Sequence, residues 1–313
     1  MHRGTRHGKM TPLARCVILP VVRCAPMEKG KATASYISAL CIYGTIGWVL
    51  AYVDLPSEVV VLCRGVLGTA FILLFILVTK RGFDTAATRA NLGWLALSGV
   101  CLGLNWVFLF AAYRATTVAV ASLCNYMAPV IVIIMAPLIL GEKRSAKKAA
   151  CAAVAVLGMV LVSGVLAGGA QGVTAEGIGL GLAAAAGFAV MVVCNKKMGP
   201  VPVFEKAALQ LAFATLAALP FVIAGNWGQE LSPDAVSVGL VVLLGLLHTG
   251  VAYCLYFGAL GVLSAQSIAV LGYIEPAVSV LVSAFILGEP LSVAGWVGAA
   301  LIIGAAAVSE LVE

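Results

Sequence analysis

The sequence predicts an all-α polytopic membrane protein whose ten transmembrane helices form two inverted five-helix repeats. Of the 313 residues, 62% are hydrophobic and 10% are charged, whereas a soluble domain carries roughly 25% charged residues. The few charges lie in short clusters that separate apolar runs of about 20 residues, the length that crosses a bilayer core. These two observations exclude a soluble globular domain, and an internal repeat predicts the arrangement of the helices.

Ten apolar runs of spanning length follow one another along the chain. The first five predict helices over 33–53, 59–79, 92–112, 118–140 and 149–166. The second five predict helices over 178–194, 207–224, 235–257, 264–287 and 292–311. We therefore expect a first repeat over 31–168 and a second over 175–313. The basic segment 1–30 is interpreted as an extension without a recognisable fold. Its residues 1–26 are interpreted either as sequence that precedes the true start of translation at Met27 or as a transit peptide.

The basic residues predict the orientation of the chain. Of the 19 Lys and Arg residues, all except Arg64 and Arg114 lie in the N-terminal segment or in the loops on the same side of the predicted bundle as that segment. Because short loops rich in Lys and Arg stay in the cytoplasm, we expect a multi-pass protein of the cell membrane, inner or plasma, with both termini cytoplasmic. The net charge of +6 is then a topology signal and a contact for anionic lipid, and no nucleic-acid partner is expected.

The sequence offers no chemistry for a metal, a cofactor or catalysis. Its nine cysteines are scattered without a C-x-x-C pair, and His248 is the only histidine in a predicted span. No H-E-x-x-H, G-x-S-x-G or G-x-x-x-x-G-K-[ST] motif occurs. We therefore expect neither an enzyme nor ATP-driven transport.

The chain repeats itself at an offset of 147 residues. Tyr126 and Pro129 recur as Tyr273 and Pro276 within the shared pattern Y-x-x-P-(x)9-I-L-G-E-x-x-S. Since five helices are an odd number, the second repeat enters the membrane from the opposite side, which makes the halves inverted copies. The turn after the first I-L-G-E carries four basic residues and its copy carries none, in agreement with opposite sides. Inverted repeats are typical of secondary transporters that work by alternating access.

The ten spans, the duplication, the P-(x)11-G-E motif that ends spans four and nine, and the Y-I-E-P run at 273–276 resemble the EamA family of the drug/metabolite transporter superfamily. The resemblance covers nearly all of the chain after residue 27. It implies a ten-helix exporter or exchanger of small organic solutes, often amino acids or related metabolites. It also implies a central cavity lined mainly by spans one, three, four, six, eight and nine.

The paired prolines predict breaks in the fourth and ninth spans. Each proline removes an amide donor and frees the carbonyl four residues earlier, which belongs to Asn125 for Pro129 and to Gly272 for Pro276. Such breaks in hydrocarbon are tolerated against protein or a wet cavity, although a packing kink is the alternative. Beside these breaks, Tyr126 and Tyr273 are candidates to contact a solute or to pack helices.

Two charged side chains inside predicted spans are candidates for binding or coupling. A carboxylate such as Glu275 is expensive in a membrane and usually functional, and it could bind an ammonium group, take up a proton or pair with Arg64. The alternative for Glu275 is a neutral acid bonded to a backbone carbonyl. Arg64 lies near the start of the second span, where it could face the cavity or extend to the interface.

Two polar side chains complete the candidate set. His248 in the eighth span could titrate if a cavity reaches it, or could be a satisfied hydrogen-bonding group. Asn105 in the third span could donate to a solute or join neighbouring helices.

These features predict a secondary transporter that exports a small zwitterionic metabolite, an amino acid or a relative of one, with or without protons. The ammonium would meet Glu275 and the Gly272 carbonyl, and the carboxylate would meet Arg64, His248 or Asn105. Exporters of hydrophobic cations, a lipid-carrier flippase and a membrane sensor or scaffold are the alternatives. Ten helices suffice for a monomer, and small-residue faces also permit a homodimer.

Overall fold

The computed structural model describes residues 27–80, 83–162, 165, 173–226, 231–286 and 292–311 of the chain. All regular structure in these ranges is helical. We group the longer helices, in chain order, as follows: α1 (Lys29–Gly44 and Ile46–Leu50), α2 (Ser57–Val78), α3 (Leu92–Ala115), α4 (Val118–Asn125, Ala128–Met135 and Ala136–Leu140), α5 (Ala146–Val162), α6 (Ala175–Lys197), α7 (Val203–Asn226), α8 (Ala235–Leu243, Leu244–Val251 and Ala252–Leu260), α9 (Ala265–Leu271 and Ile274–Ile286) and α10 (Val293–Leu311). The short helix Thr85–Ala90 precedes α3.

Eight of the helices in the described residues, α1 to α4 and α6 to α9, are long and apolar enough to cross a membrane. The helix α5 has 17 residues, and α10 contains the shorter apolar stretch Val293–Ser309. The chain is therefore a multi-pass helical membrane protein, as predicted, while ten spans in two inverted repeats stay a prediction. Residues 1–26, the end of the predicted fifth span and the repeat positions 287–289 lie outside the described residues.

Side-chain caps explain where several helices begin. Each cap accepts a hydrogen bond from a backbone N–H of the first turn, which would otherwise lack a partner. Thr117 caps α4, Thr174 caps α6, Asp234 caps α8 and Ser264 caps α9, with N···O distances of 2.8 to 3.3 Å. Asp84 does the same for the short helix before α3.

Four of the spanning helices are irregular within their length. The helix α4 is interrupted at Tyr126 and Met127, and α9 is interrupted at Gly272 and Tyr273, close to the prolines that predict breaks there. The helix α1 is interrupted at Thr45, and α8 widens into a π-helical turn over Leu244–Val251. Because π-helical turns occur frequently at functional sites, these irregularities point to a candidate functional site between the four helices.

Small residues allow close approach between helices. On α3, Gly103 lies directly against the backbone of Ala214 on α7. A Cβ at Gly158 of α5 would lie 2.6 Å from the carbonyl of Gly298 on α10, so these two helices meet through glycines. Without a hydrophobic driving force in lipid, this close packing is a main source of helix association.

A buried polar cluster joins α3, α6 and α7. The side-chain amides of Asn195 and Gln210 bond reciprocally at 2.9 and 3.2 Å, and Asn195 Nδ2 also donates to Ser98 Oγ at 3.0 Å. All three residues are at most 2% exposed. A buried amide without partners is costly in an apolar medium, so the cluster fixes how these three helices face each other.

Candidate functional site

A cavity of about 180 Å³ lies between α1, α2, α3, α4, α6, α8 and α9. This volume is well above the roughly 10–15 Å³ that one ordered water needs, so the cavity has room for a small organic solute. The six helices that the family resemblance implies all contribute to its wall, and α2 adds Arg64.

Eight of the ten candidate residues line this cavity, and two do not. The lining candidates are Glu275, Arg64, His248, Asn105, Asn125, Tyr126, Gly272 and Pro129. Pro276 is buried within α9, outside the lining. Tyr273 is fully buried in a hydrophobic cluster with residues of α5 and α10, such as Met159 and Ile302. Gly272, its neighbour in the interruption of α9, lines the cavity instead.

The two helix interruptions bring unusual backbone to the cavity. Asn125 and Tyr126 line it from α4, and Gly272 lines it from α9. Pro129 has no N–H for the Asn125 carbonyl, and Pro276 has none for the Gly272 carbonyl. Irregular backbone at membrane depth is tolerated where it lines a cavity, and both interruptions lie in such a place.

Asn105 joins helices at the edge of the cavity. Its Nδ2 donates to Asn125 Oδ1 at 2.9 Å and to the Ala184 carbonyl at 2.8 Å, which connects α3 to α4 and α6. The side-chain amide has two N–H donors, and both are used in these bonds. The geometry therefore favours a structural role for the Asn105 amide nitrogen.

Glu275 and Arg64 face the same cavity from α9 and α2. Among the described residues, the two make no direct ion pair with each other. The Arg64 guanidinium carbon lies 5.4 Å from the centre of the Trp106 ring, a cation–π distance. Within the part of the chain that the structure describes, Arg64 Nε is buried without a hydrogen-bond partner. The cavity thus contains one acidic and one basic side chain that are not paired to each other.

His248 belongs to the π-helical turn of α8 and is 2% exposed. Its Nε2 lies 2.9 Å from the hydroxyl of Thr45, at the interruption of α1. Thr45 Oγ1 also lies 2.7 Å from the Ile42 carbonyl, to which it donates. The two irregular segments of α1 and α8 therefore meet through one histidine and one threonine beside the cavity.

Aromatic side chains that are not among the predicted site residues form much of the wall. Tyr36 and Tyr43 of α1 stand beside Tyr253 and Tyr256 of α8, with ring centres 5.2 Å apart for Tyr36–Tyr256 and 5.4 Å apart for Tyr43–Tyr253. Phe188 of α6 adds a ring 6.4 Å from Tyr256. Residues three, four or seven apart share a helix face. The seven-residue spacing of Tyr36 and Tyr43 and the three-residue spacing of Tyr253 and Tyr256 could therefore have indicated two aromatic helix faces.

The fold and the cavity define a class of protein: a multi-pass helical membrane protein that encloses a solute-sized, aromatic and charged cavity at its centre. The EamA-like transporter family matches residues 32–164 and again residues 175–310. The chain belongs to this transporter family.

Comparisons with individual proteins agree with this assignment. An uncharacterized transporter, YxxF, of Bacillus subtilis (strain 168) is 25% identical over 264 residues, 83% of each chain. The aromatic amino acid exporter YddG of Ancylobacter novellus is 28% identical over 225 residues, 70% of this chain and 75% of that one. A crystal structure covering 90% of this chain and 97% of its own superimposes with a TM-score of 0.75 at 22% identity, which shows the same fold.

Proposed function

We propose that this protein is a secondary transporter that exports small zwitterionic metabolites, amino acids with aromatic or other apolar side chains foremost. One observation carries the proposal: a solute-sized cavity contains Glu275 and Arg64, not paired to each other, between aromatic walls. An α-amino acid presents an ammonium and a carboxylate, which these two side chains complement. Buried charges are normally paired, so a solute that pairs with both removes the cost of leaving them separate.

The aromatic wall supports the choice of side chain. Tyr36, Tyr43, Tyr253 and Tyr256, with Trp106, give the cavity large apolar faces. Aromatic rings gain about 0.5–1.5 kcal/mol per pair beyond the burial of their area. The name of the relative from Ancylobacter novellus, an aromatic amino acid exporter, points the same way.

The mechanism that we propose is alternating access of two inverted halves, 31–168 and 175–313. We place the protein in the inner or plasma membrane of the cell, with both termini in the cytoplasm. The repeat at an offset of 147 residues and the distribution of Lys and Arg support this arrangement. The position of Glu275 in the cavity also makes it the group proposed to carry a proton, if export is proton-coupled. The two halves form a cavity within one chain, so a monomer suffices for transport.

Hydrophobic cations are the second candidate solutes, because a carboxylate among aromatic rings suits a cation. Arg64 in the same cavity opposes this alternative, since it repels a solute that has no negative group. Resistance of expressing cells to cationic dyes separates the two candidates: the zwitterion proposal expects no change in resistance.

The test is the extracellular metabolite profile of cells that express the protein, compared with cells that express Glu275→Gln at equal membrane abundance and with an empty control. Glu275→Gln keeps the side chain's size and removes its charge. The proposal expects one or more zwitterionic metabolites to accumulate outside for the parent protein only. Two results together would overturn the proposal. The first is an equal metabolite profile in all three strains, and the second is uptake of labelled aromatic amino acids into proteoliposomes no faster than into liposomes without protein.

A further inference from the structure

The I-L-G-E pattern of the repeat has a structural role that solute binding does not explain. Its first copy ends α4 at Gly141, whose φ of 70° is in the left-handed region that favours glycine. The chain then turns into the segment 142–148, which carries four basic residues. We call the end of the helix bundle that holds this segment the basic end.

At the basic end, the segment 142–148 binds the beginning of α9. Glu142 Oε1 accepts a hydrogen bond of 2.9 Å from the backbone N–H of Ala265, and Glu142 Oε2 lies 3.5 Å from Gln266 Nε2. Gln266 Nε2 also donates to the carbonyl of Lys143 at 2.8 Å. These bonds join residues more than 120 positions apart in the chain.

Lys148 adds a second set of bonds between the same two segments. Its Nζ donates to Ser264 Oγ at 3.2 Å and to Ser267 Oγ at 3.0 Å, and the lysine is only 6% exposed. A buried ammonium is stable only when it is well hydrogen-bonded. Moving these segments apart would break charge-assisted bonds, which are stronger than neutral ones.

The contact lies directly beside the cavity. Ile268 and Ala269 line the cavity from α9, three and four residues after Ala265. At 1.5 Å per residue, Ala265 lies roughly 4.5 to 6 Å along the helix from this part of the wall, and Ser267 directly precedes Ile268. The first half of the chain is thus bonded to the second half between the cavity and the basic end.

The repeat makes this contact asymmetric. At the offset of 147 residues, Glu142 corresponds to Glu289, but Gln266 corresponds to Ala119, Ser267 to Val120 and Lys148 to Gly295. Ser264 corresponds to Thr117, so a hydroxyl recurs along with the carboxylate. Gln266, Ser267 and Lys148 themselves have no polar counterparts at the other end.

We propose that the bonds of Glu142 and Lys148 to the start of α9 form a gate that closes the basic end of the cavity and must open in each transport cycle. This inference rests on the alternating access of the proposed function. Because Gln266, Ser267 and Lys148 have no polar counterparts at the opposite end, closure of the basic end is the more stable resting state.

The experiment measures access to the cavity rather than transport. Ala269→Cys places a thiol on the cavity wall, and a membrane-impermeant maleimide is applied from one side at a time to protein in oriented vesicles. Labelling of the parent protein without Ala269→Cys is subtracted, because the chain has cysteines of its own. Glu142→Gln and Lys148→Met, each added to Ala269→Cys, should raise labelling from the basic end about tenfold or more, given the strength of charge-assisted bonds.

The matched control is Glu58→Gln. Glu58 pairs with Arg114 within the first half and away from the cavity lining, so its removal should leave labelling from both sides unchanged. Equal labelling rates for the Glu142 and Lys148 variants and the parent, with all proteins monodisperse, would overturn the gate. Because labelling needs no solute, a protein that opens in this way but moves no amino acid would leave the gate standing and refute the proposed substrate.

A second test does not depend on weakening the fold. A short bis-methanethiosulfonate cross-linker between Glu142→Cys and Gln266→Cys should stop transport and basic-end labelling, and dithiothreitol should restore both. The single Glu142→Cys variant, treated identically, is the control. Undiminished transport in the cross-linked protein would show that these segments need not separate.

Discussion

The guanidinium of Arg64 stacks over the ring of Trp106 at 5.4 Å, so the basic group of the cavity is held by an aromatic face rather than by an acid. This leaves the carboxylate of Glu275, on the same cavity wall, unpaired with the guanidinium. A planar guanidinium can stack and still offer its fork of N–H donors to a carboxylate. The pair Arg64–Trp106 therefore suits a site that receives the carboxylate of a solute.

Replacement of Arg64 by lysine should weaken binding of amino acids by about tenfold. Lysine keeps the charge, but it lacks the planar fork and stacks less well on Trp106. The measurement is uptake of a labelled aromatic amino acid into proteoliposomes in the presence of one of two unlabelled competitors. These are the same amino acid and the corresponding amine, which lacks the carboxylate. The amine should be affected much less than the amino acid.

Arg114→Lys is the control for this substitution, because Arg114 is exposed and pairs with Glu58 outside the cavity lining. The Arg114→Lys variant should bind the amino acid and the amine as tightly as the parent protein does. If Arg64→Lys weakened binding of the amine and of the amino acid equally, Arg64 would not be the group that binds the carboxylate.

Much of the fold could be predicted from residue type alone. Apolar runs predict the spanning helices, and proline predicts the interruptions of α4 and α9 because it has no N–H to donate. A charged residue in an apolar run marks the cavity because burial of a charge in a membrane is costly, and Glu275 and Arg64 indeed line it.

The remaining features depend on how helices rotate against each other, which a single sequence does not encode in any local pattern. Thr45 meets His248 across 203 positions, and Glu142 meets Ala265 across 123 positions. The repeat equates Tyr126 with Tyr273, yet only Tyr126 reaches the cavity. Equivalent positions acquire different surroundings because the partners of each helix differ between the halves.

The reciprocal amide pair Asn195–Gln210 should show energetic coupling. Gln210→Met keeps the length of the side chain but leaves the Asn195 amide without its partner, at a cost of about 1 kcal/mol. Asn195→Ala should cost a similar amount, and the double variant should cost less than the sum, since no amide is then left unsatisfied. Reversible unfolding in detergent measures the four proteins, and strictly additive losses would contradict the coupling.

The cap of α8 should weaken in acid. Hydrogen bonds from the hydroxyl of Ser237 and then from its backbone N–H lower the pKa of Asp234, which lies before the spanning segment. A carboxyl group whose pKa is lower in the folded state stabilises that state above its unfolded pKa, near 3.9. This contribution is lost as the pH falls through the lower folded value. The protection factor of the Ser237 amide, which is its intrinsic exchange rate divided by its observed rate at the same pH, should therefore fall in acid.

The cap of α6 provides the internal comparison for that experiment. Thr174 accepts from the backbone N–H of Gly177 through a hydroxyl group, which does not titrate in this range. Protection of the Gly177 amide should stay constant over the same pH interval. Parallel loss of protection at Gly177 and Ser237 would indicate general unfolding instead of a titrating cap.

Gly158→Ala should destabilise the protein because the new methyl group has no space. It would lie 2.6 Å from the Gly298 carbonyl and 2.8 Å from a carbon of Ile302, so α5 and α10 would have to separate. Overpacking of this kind costs about 1–3 kcal/mol, which a lower midpoint of thermal unfolding would report. Gly179→Ala on α6 is the matched control, since no atom of the described residues lies within 4 Å of its Cβ position. Alanine there should be neutral or stabilising by up to about 1 kcal/mol, because it favours the helix over glycine. Equal midpoints for the two variants would mean that α5 and α10 do not depend on their glycine contact.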